Sequence, residues 1–363
     1  MTEAILVPIE DRAVFTVIGA GVIGLLTAQA LAERGHDVTV VSKEGSPSRE
    51  TGSTSSIAIG QFLPWVPEDH QEVLLGDLSL EEVTDYSRNF YSELANNPHV
   101  TGVMELSNVE LVSSSSPWPS DLPRVMRATD EQLDEPIELI GPAGEAIAYD
   151  TALTFNTFSI NTRKTIGYLA ERAKELGVKF EKREVTREEL ERLEGVIVNA
   201  TGMGAAPLDP ASLVKEFKGH TFVVRPKEGY FVPREALSVE DIIMMPREDG
   251  TAVCGALYLE NPARPVPEAV EADELFARLR ETFQKTADMV DGLEPDLLDN
   301  VDVVVHSAGY RVEVEGSGIR VAPDEDNERL LHAYGFGGLG WSVGPHFAQK
   351  IATIAHTLHQ QTK

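Results

Sequence analysis

A single cysteine, Cys254, in 363 residues leaves no internal disulfide and no zinc site built on cysteine pairs. Basic residues are also scarce. Lysine plus arginine number 31 against 59 aspartate plus glutamate, a formal charge of −28 that repels nucleic-acid phosphates and anionic lipid heads. Neither is an expected partner. No uninterrupted apolar run reaches bilayer length. The opening Met1-Thr2-Glu3-Ala4-Ile5 has no basic region leading into an apolar stretch, so a cytoplasmic protein is expected. There is no internal repeat, no Gly-x-Ser-x-Gly elbow and no phosphate-binding lysine loop. The remaining composition, 42% hydrophobic and 25% charged, is that of a globular chain, which excludes disorder.

The N-terminal segment carries the clearest local signal. Apolar Phe15-Thr16-Val17-Ile18 runs into Gly19-Ala20-Gly21-Val22-Ile23-Gly24, and Leu25 to Ala32 suit a buried helix capped by Gly35. A second strand is expected at Val38 to Val41. Strand, glycine turn, helix and strand in this order form a dinucleotide-binding unit. Gly19 makes the tight turn, Gly21 lets a pyrophosphate approach the backbone, and Gly24 allows helix and strand to pack closely. The helix N-terminus then offers N–H groups and a positive dipole end. At the end of the second strand, where an acid commonly holds ribose hydroxyls, stand Ser42 and Lys43, with Glu44 displaced.

Further along, Ser79 and Glu82 form a capping box for an amphipathic helix to Leu94, with Val83, Tyr86, Phe90 and Leu94 on one face. Ser113 to Pro117 and the acidic stretch Asp130 to Pro136 read as loops. Helices are expected from Asn161 to Leu176, stopped by Gly177, after Thr186 with Glu189 as its box, from Glu268 to Met289, and from Pro345 onward. Val196-Ile197-Val198 reads as a strand. The region Phe217 to Leu259 reads as antiparallel sheet, with Cys254 a buried, inert thiol in one of its strands.

Four blocks give the function. Val17 to Gly24, Val196-Ile197-Val198-Asn199-Ala200-Thr201-Gly202, Gly309-Tyr310-Arg311 and His332 to Ser342 stand in the order and spacing of the D-amino-acid oxidase family, which the sequence resembles. The resemblance implies an α/β fold in which a Rossmann-like domain for noncovalent FAD is interleaved with an antiparallel-sheet substrate domain. The division expected is 1–65, 150–210 and 300–363 for FAD, with 66–149 and 211–299 for substrate. The implied activity is oxidation of the C–N bond of a D-amino acid or related amino or imino acid. Hydride passes to the flavin, oxygen is the acceptor, and an imine and hydrogen peroxide form. A glycine- or sarcosine-type or pathway-specific amine oxidase, and a FAD-binding redox protein without turnover, are the alternatives. A homodimer is compatible with the resemblance.

Carried over by position, Gly19, Ala20, Gly21, Val22, Ile23 and Gly24 hold the pyrophosphate, with Lys43 and Glu44 at the ribose. Thr54, Ser55, Gly60 and Gln61 follow the phosphates and ring system, and Val185, Thr201 and Gly202 flank the adenine side. Gly337, Gly338, Leu339, Gly340, Trp341 and Ser342 cradle the flavin. Arg311 clamps the substrate carboxylate with its planar fork, and the other reading of it is an ion pair with Glu313 or Glu315. Gly338, Ile243, Tyr310 and His220 complete the substrate-side set. No metal ligands are expected, because His306 and His346 lack partners at ligand spacing. The family's pocket tyrosines are replaced by Val239 and Ile243, and Val312-Glu313 follows Arg311 where the family has proline and a second arginine, so a less polar pocket is expected.

Overall fold

The computed structural model describes residues 12–47, 53–66, 75, 78–114, 121–141, 144–210, 213–255, 259–260, 269–316 and 318–362. The chain opens as expected with β1 (Val14–Ile18), helix α1 (Val22–Glu33) and β2 (Asp37–Ser42). Gly35 ends α1 at φ +90°, the left-handed backbone that favours glycine. A single turn, α2 (Thr54–Ile57), precedes α3 (Leu80–Ala95), which starts on the expected Ser79–Glu82 capping box. Then come β3 (Val103–Val112), β4 (Thr129–Ile140), β5 (Ala146–Ile160), α4 (Thr162–Glu175), β6 (Lys179–Lys182) and β7 (Val196–Asn199).

The second half is richer in strands: β8 (Val214–Pro226), β9 (Ala236–Val239), β10 (Ile242–Pro246), β11 (Ala252–Gly255) and β12 (Leu259–Glu260). Helix α5 (Ala269–Thr286) follows, then β13 (Val301–Val314), β14 (Arg320–Pro323), β15 (Leu330–Tyr334) and the C-terminal α6 (Gly340–Gln361). Among the described residues no helix is long and apolar enough to cross a membrane.

Two sheets result. Six strands in the order β14-β15-β7-β1-β2-β6 form a parallel sheet with one antiparallel edge, β14. Helices α1, α4 and α6 contribute to its core, including Leu25, Ile166 and Phe347. The other sheet, β12-β8-β11-β10-β9-β3-β5-β4 with β13 also paired to β8, is mostly antiparallel, and α5 covers one of its faces through Leu275, Leu279 and Phe283. This is the expected α/β fold with interleaved sheets. The expected cut at 150 passes through β5 and the cut at 300 falls just before β13, whereas both strands stay in the larger sheet, to Ile160 and Val314. We propose that the domains divide with the sheets, at those strand ends.

Two local expectations are corrected. Asp130 to Pro136 is not a loop but part of β4, an exposed strand paired to β5 with a register shift between Gln132 and Ile137. Its polar residues face water, so the alternation that marks a half-buried strand is absent. In α3 the buried aromatic is Tyr91, on a stripe with Leu80, Val83, Ser87 and Leu94, whereas Tyr86 is 39% exposed. Of the Ser113–Pro117 loop, residues 115–117 lie outside the described residues, as does Glu268.

His36 follows α1 and is buried, accepting a hydrogen bond at Nδ1 from the Ala13 N–H at 3.3 Å and stacking on His356 at 5.1 Å. Burial first, then His356, Arg34 and His359, push its pKa from 6.5 down to about 4. The unfolded chain therefore binds more protons between these values, and stability falls as pH drops from 6.5 toward 4. The urea midpoint of the native protein should fall from pH 7.5 to pH 5 by more than that of His36→Gln. Equal falls would show that the ring does not matter.

Candidate active site

At the first turn Gly19 adopts φ +109°, and a Cβ there would run into the carbonyl oxygen of Ala200. A Cβ on Gly24 would overlap the carbonyl oxygen of Gly19, so α1 leaves β1 closer than any side chain permits. Gly21 caps α1 with no side-chain hydrogen bond, and the first turn contains no acid. Apart from the Val22 N–H, which Ser55 takes, the helix dipole and its leading amides are thus directed at an anion.

Ser55 ties this turn to two others. Its Oγ accepts the Val22 N–H at 3.0 Å, and its carbonyl accepts the indole N–H of Trp341 at 3.0 Å. Ser342 Oγ accepts from the Leu63 N–H at 3.0 Å, fixing the start of α6 against the segment after Gln61. Gly60, at φ +81°, lies so close to the Ile160 carbonyl oxygen that a Cβ would collide with it. Tyr91 donates its hydroxyl to the Trp341 carbonyl from below.

Strand β13 joins the same assembly. Thr54 Oγ1 donates to the Tyr310 carbonyl at 3.0 Å, and the Gly337 N–H donates to the Val312 carbonyl at 2.9 Å. A Cβ on Gly309 would strike Ile57, and one on Gly337, at φ +51°, would strike the Glu313 carboxylate. Gly309 and Glu313 therefore face α2 and the Gly337 turn, and alternation puts half-buried Arg311 on that face between them. Arg311 thus starts from the face of β13 that meets α2 and the Gly337 turn.

The register extends this face across the sheet. Thr221 donates to the Ile57 carbonyl at 3.1 Å and pairs with Gly255, which pairs with Ile243, which pairs with Ser238. Directly opposed strand residues share a face, so Ile243 belongs to the cleft wall, packed on Ile59, Leu106, Met245 and Val253.

Two expected residues fall on the other face. Phe222, one position past Thr221, meets Phe276 of α5 edge-on at 5.2 Å and stacks on His306 at 4.5 Å. His220 shares that side, with Nδ1 3.1 Å from His306 Nε2, fully buried. His220 is thus a core partner of His306 and not a pocket base. Tyr310 alternates with Arg311 and points away from it.

On the adenosine side, Ala200 and Thr201 abut Gly19, with Gly202 next in the chain, while Val185 packs beside Ile18 and Leu190. A network missed by sequence reasoning holds this turn. Thr201 Oγ1 and N–H donate to Asn199 Oδ1 at 2.7 and 3.3 Å, and Asn199 Nδ2 lies 3.2 Å from His332 Nδ1. His332 Nε2 is 3.0 Å from Asp324, so a neutral ring with its proton on Nε2 satisfies every partner. Burial lowers the His332 pKa against the pull of Asp324 and Asp209. Arg320 and Tyr334 both donate to Asp209, at 2.6 and 2.7 Å, closing the cluster. Asn199, Thr201, His332 and Tyr334 lie within the quoted blocks, whereas Asp209, Arg320 and Asp324 do not, and the two acids come from separate loops. At the ribose end, exposed Lys43 pairs with Glu184 at 2.5 Å and Glu44 is exposed. Trp65 is 43% exposed, and Cys254 is buried with its thiol pushed up to about 12 by burial.

A parallel sheet with a glycine turn under an open helix end, beside an arginine-bearing antiparallel sheet, defines a dinucleotide-dependent oxidoreductase. The chain belongs to the FAD dependent oxidoreductase (DAO) family, whose model matches residues 15–354. It is 28% identical over 344 residues to a D-amino-acid oxidase of Streptomyces coelicolor, covering 93% of this chain and 95% of that protein. Glycine oxidase from Bacillus cereus superposes with a TM-score of 0.66 at 17% identity, covering 97% of this chain and 96% of that one. L-amino acid deaminase from Proteus vulgaris gives 0.64 at 16% identity, covering 99% and 92%. The cofactor is FAD, and the residues fit it: the close contacts at Gly19 and Gly24 and the acid-free start of α1 make the seat a pyrophosphate needs, while no atom lies within 4 Å of a Cβ on Gly338.

Proposed function

We propose that the protein oxidises the C–N bond of a D-amino acid or related amino or imino acid, with dioxygen as electron acceptor. What supports this reading is the strand position of Arg311, between Gly309, which abuts Ile57, and Glu313, which abuts the Gly337 turn. A guanidinium fork there binds a carboxylate through two charge-assisted hydrogen bonds and fixes the orientation of the α-carbon. Bound FAD supplies the two-electron acceptor.

The substrate loses its α-hydrogen with an electron pair and one amine proton, becoming an imine. Water converts the imine to a 2-oxo acid and ammonia, and the two electrons and two protons reduce dioxygen to hydrogen peroxide. The chain's part is binding and shielding. Arg311 aligns the carboxylate, and Ile243, Met245 and Val253 exclude water further along the same face of the sheet. With His220 turned to the far face, no protein base is needed if the amine arrives neutral.

Solved structures of this fold include an L-amino acid deaminase, so handedness is the point to test. Oxygen uptake and peroxide formation, measured with paired D- and L-amino acids, glycine and sarcosine, should favour the D-series. A preference for L-enantiomers or for sarcosine would overturn the stereochemical reading.

A further inference from the structure

On the cleft face of the larger sheet lies a polar cluster in which Gln61, expected beside the flavin ring, meets two buried residues that FAD and carboxylate binding do not use. Gln61 Nε2 donates to Ser238 Oγ at 2.9 Å and to Asn108 Oδ1 at 3.3 Å, and Ser238 Oγ donates to Asn108 Oδ1 at 3.0 Å. Asn108 and Ser238 are buried, at 0% and 1% exposure, among Leu106, Ala236, Met245 and Val253. Asn108 Nδ2 has no hydrogen-bond partner among the described residues. A buried amide donor left unmade costs about 1–3 kcal/mol, so this donor calls for an acceptor.

The cluster's place gives the acceptor's origin. Ser238 pairs with Ile243 of the cleft wall, and half-buried Gln61 follows the segment whose Ile57 meets Gly309, beside Arg311. A substrate held by its carboxylate at Arg311 therefore extends its side chain along this face. Glu110 pairs with Ser238, two residues beyond Asn108 on the same face, and is buried. Its carboxylate disfavours a second anion there.

We propose that Gln61, Ser238 and Asn108 form a side-chain subsite that selects amino acids with an uncharged, carbonyl-bearing side chain, the side-chain amides above all. This rests on the amino-acid reading of the site. Asparagine and leucine have the same shape and differ in the hydrogen bonds they make. A site that hydrogen-bonds its substrate rejects an analogue lacking that group far more strongly than a site that only packs against it.

The test compares kcat/KM for asparagine and leucine, in the enantiomer the holoenzyme oxidises, in the native protein, Asn108→Leu and Ser238→Ala. The native enzyme should favour asparagine at least tenfold. Asn108→Leu should bring the ratio near or below one, and Ser238→Ala, which frees the Asn108 side chain, should lower it severalfold if Asn108→Leu does not fold. An amide-to-leucine ratio that is near one in the native enzyme, or unchanged in the variants, overturns the subsite while leaving the amino-acid reading intact. Failure of every amino acid to be oxidised overturns that reading and the subsite with it.

Discussion

Arg311→Ala should lower kcat/KM for carboxylated substrates by about 10²–10³, with flavin content and visible spectrum unchanged. Removing one partner of a buried, hydrogen-bonded charge pair costs roughly 2–5 kcal/mol, and each 1.4 kcal/mol is about tenfold. The guanidinium acts twice, in binding and in holding the α-carbon at a fixed approach, so both KM and kcat should suffer. Arg311→Lys keeps the charge and loses the fork, and should recover only part of the activity. Amines without a carboxylate should be indifferent to either change. Steady-state kinetics on matched acid and amine substrates check this, and native kcat/KM in Arg311→Ala would remove the carboxylate clamp from the account.

Gly24→Ala should strip the protein of flavin. The new Cβ would occupy the position of the Gly19 carbonyl oxygen, so α1 must move off β1 and carry its leading amides with it. Overpacking of this kind costs about 1–3 kcal/mol. Because the displaced helix end is itself the anion seat, much of that penalty should appear as weaker FAD binding, by roughly tenfold or more. Gly167→Ala is the control. It lies within α4, where a Cβ meets nothing within 4 Å, and alanine is the better helix former there by about 1 kcal/mol. Reconstitution followed by flavin fluorescence should separate the two variants, and equal FAD affinity would refute the close-packing role of Gly24.

How much of this could be read from sequence depends on how local the cause is. The turn from Gly19 to Gly24 and the cap of α3 are fixed by residues within one or two helical turns, and both were legible. Arg311 was singled out by the resemblance of the Gly309-Tyr310-Arg311 block, and its role belongs to the proposal. Strand β4 was not legible, since exposed acidic residues become a strand only through pairing with β5. The side on which His220 lies depends on the register of β8 against β13, and one residue of slip reverses it. Asn108 and Ser238 come from strands 130 residues apart, and only the parallel pairing of β3 with β9 brings them together. The His332 network is similar, linking β15 to carboxylates on two loops.

The most direct test of the central claim is the visible spectrum of the FAD-loaded protein, recorded without oxygen before and after adding D-amino acids. Bands near those of oxidised flavin that bleach on addition and return when oxygen is admitted are the expected result. A flavin spectrum that no amino acid changes would contradict the account, leaving the cofactor in place and the substrate reading without support.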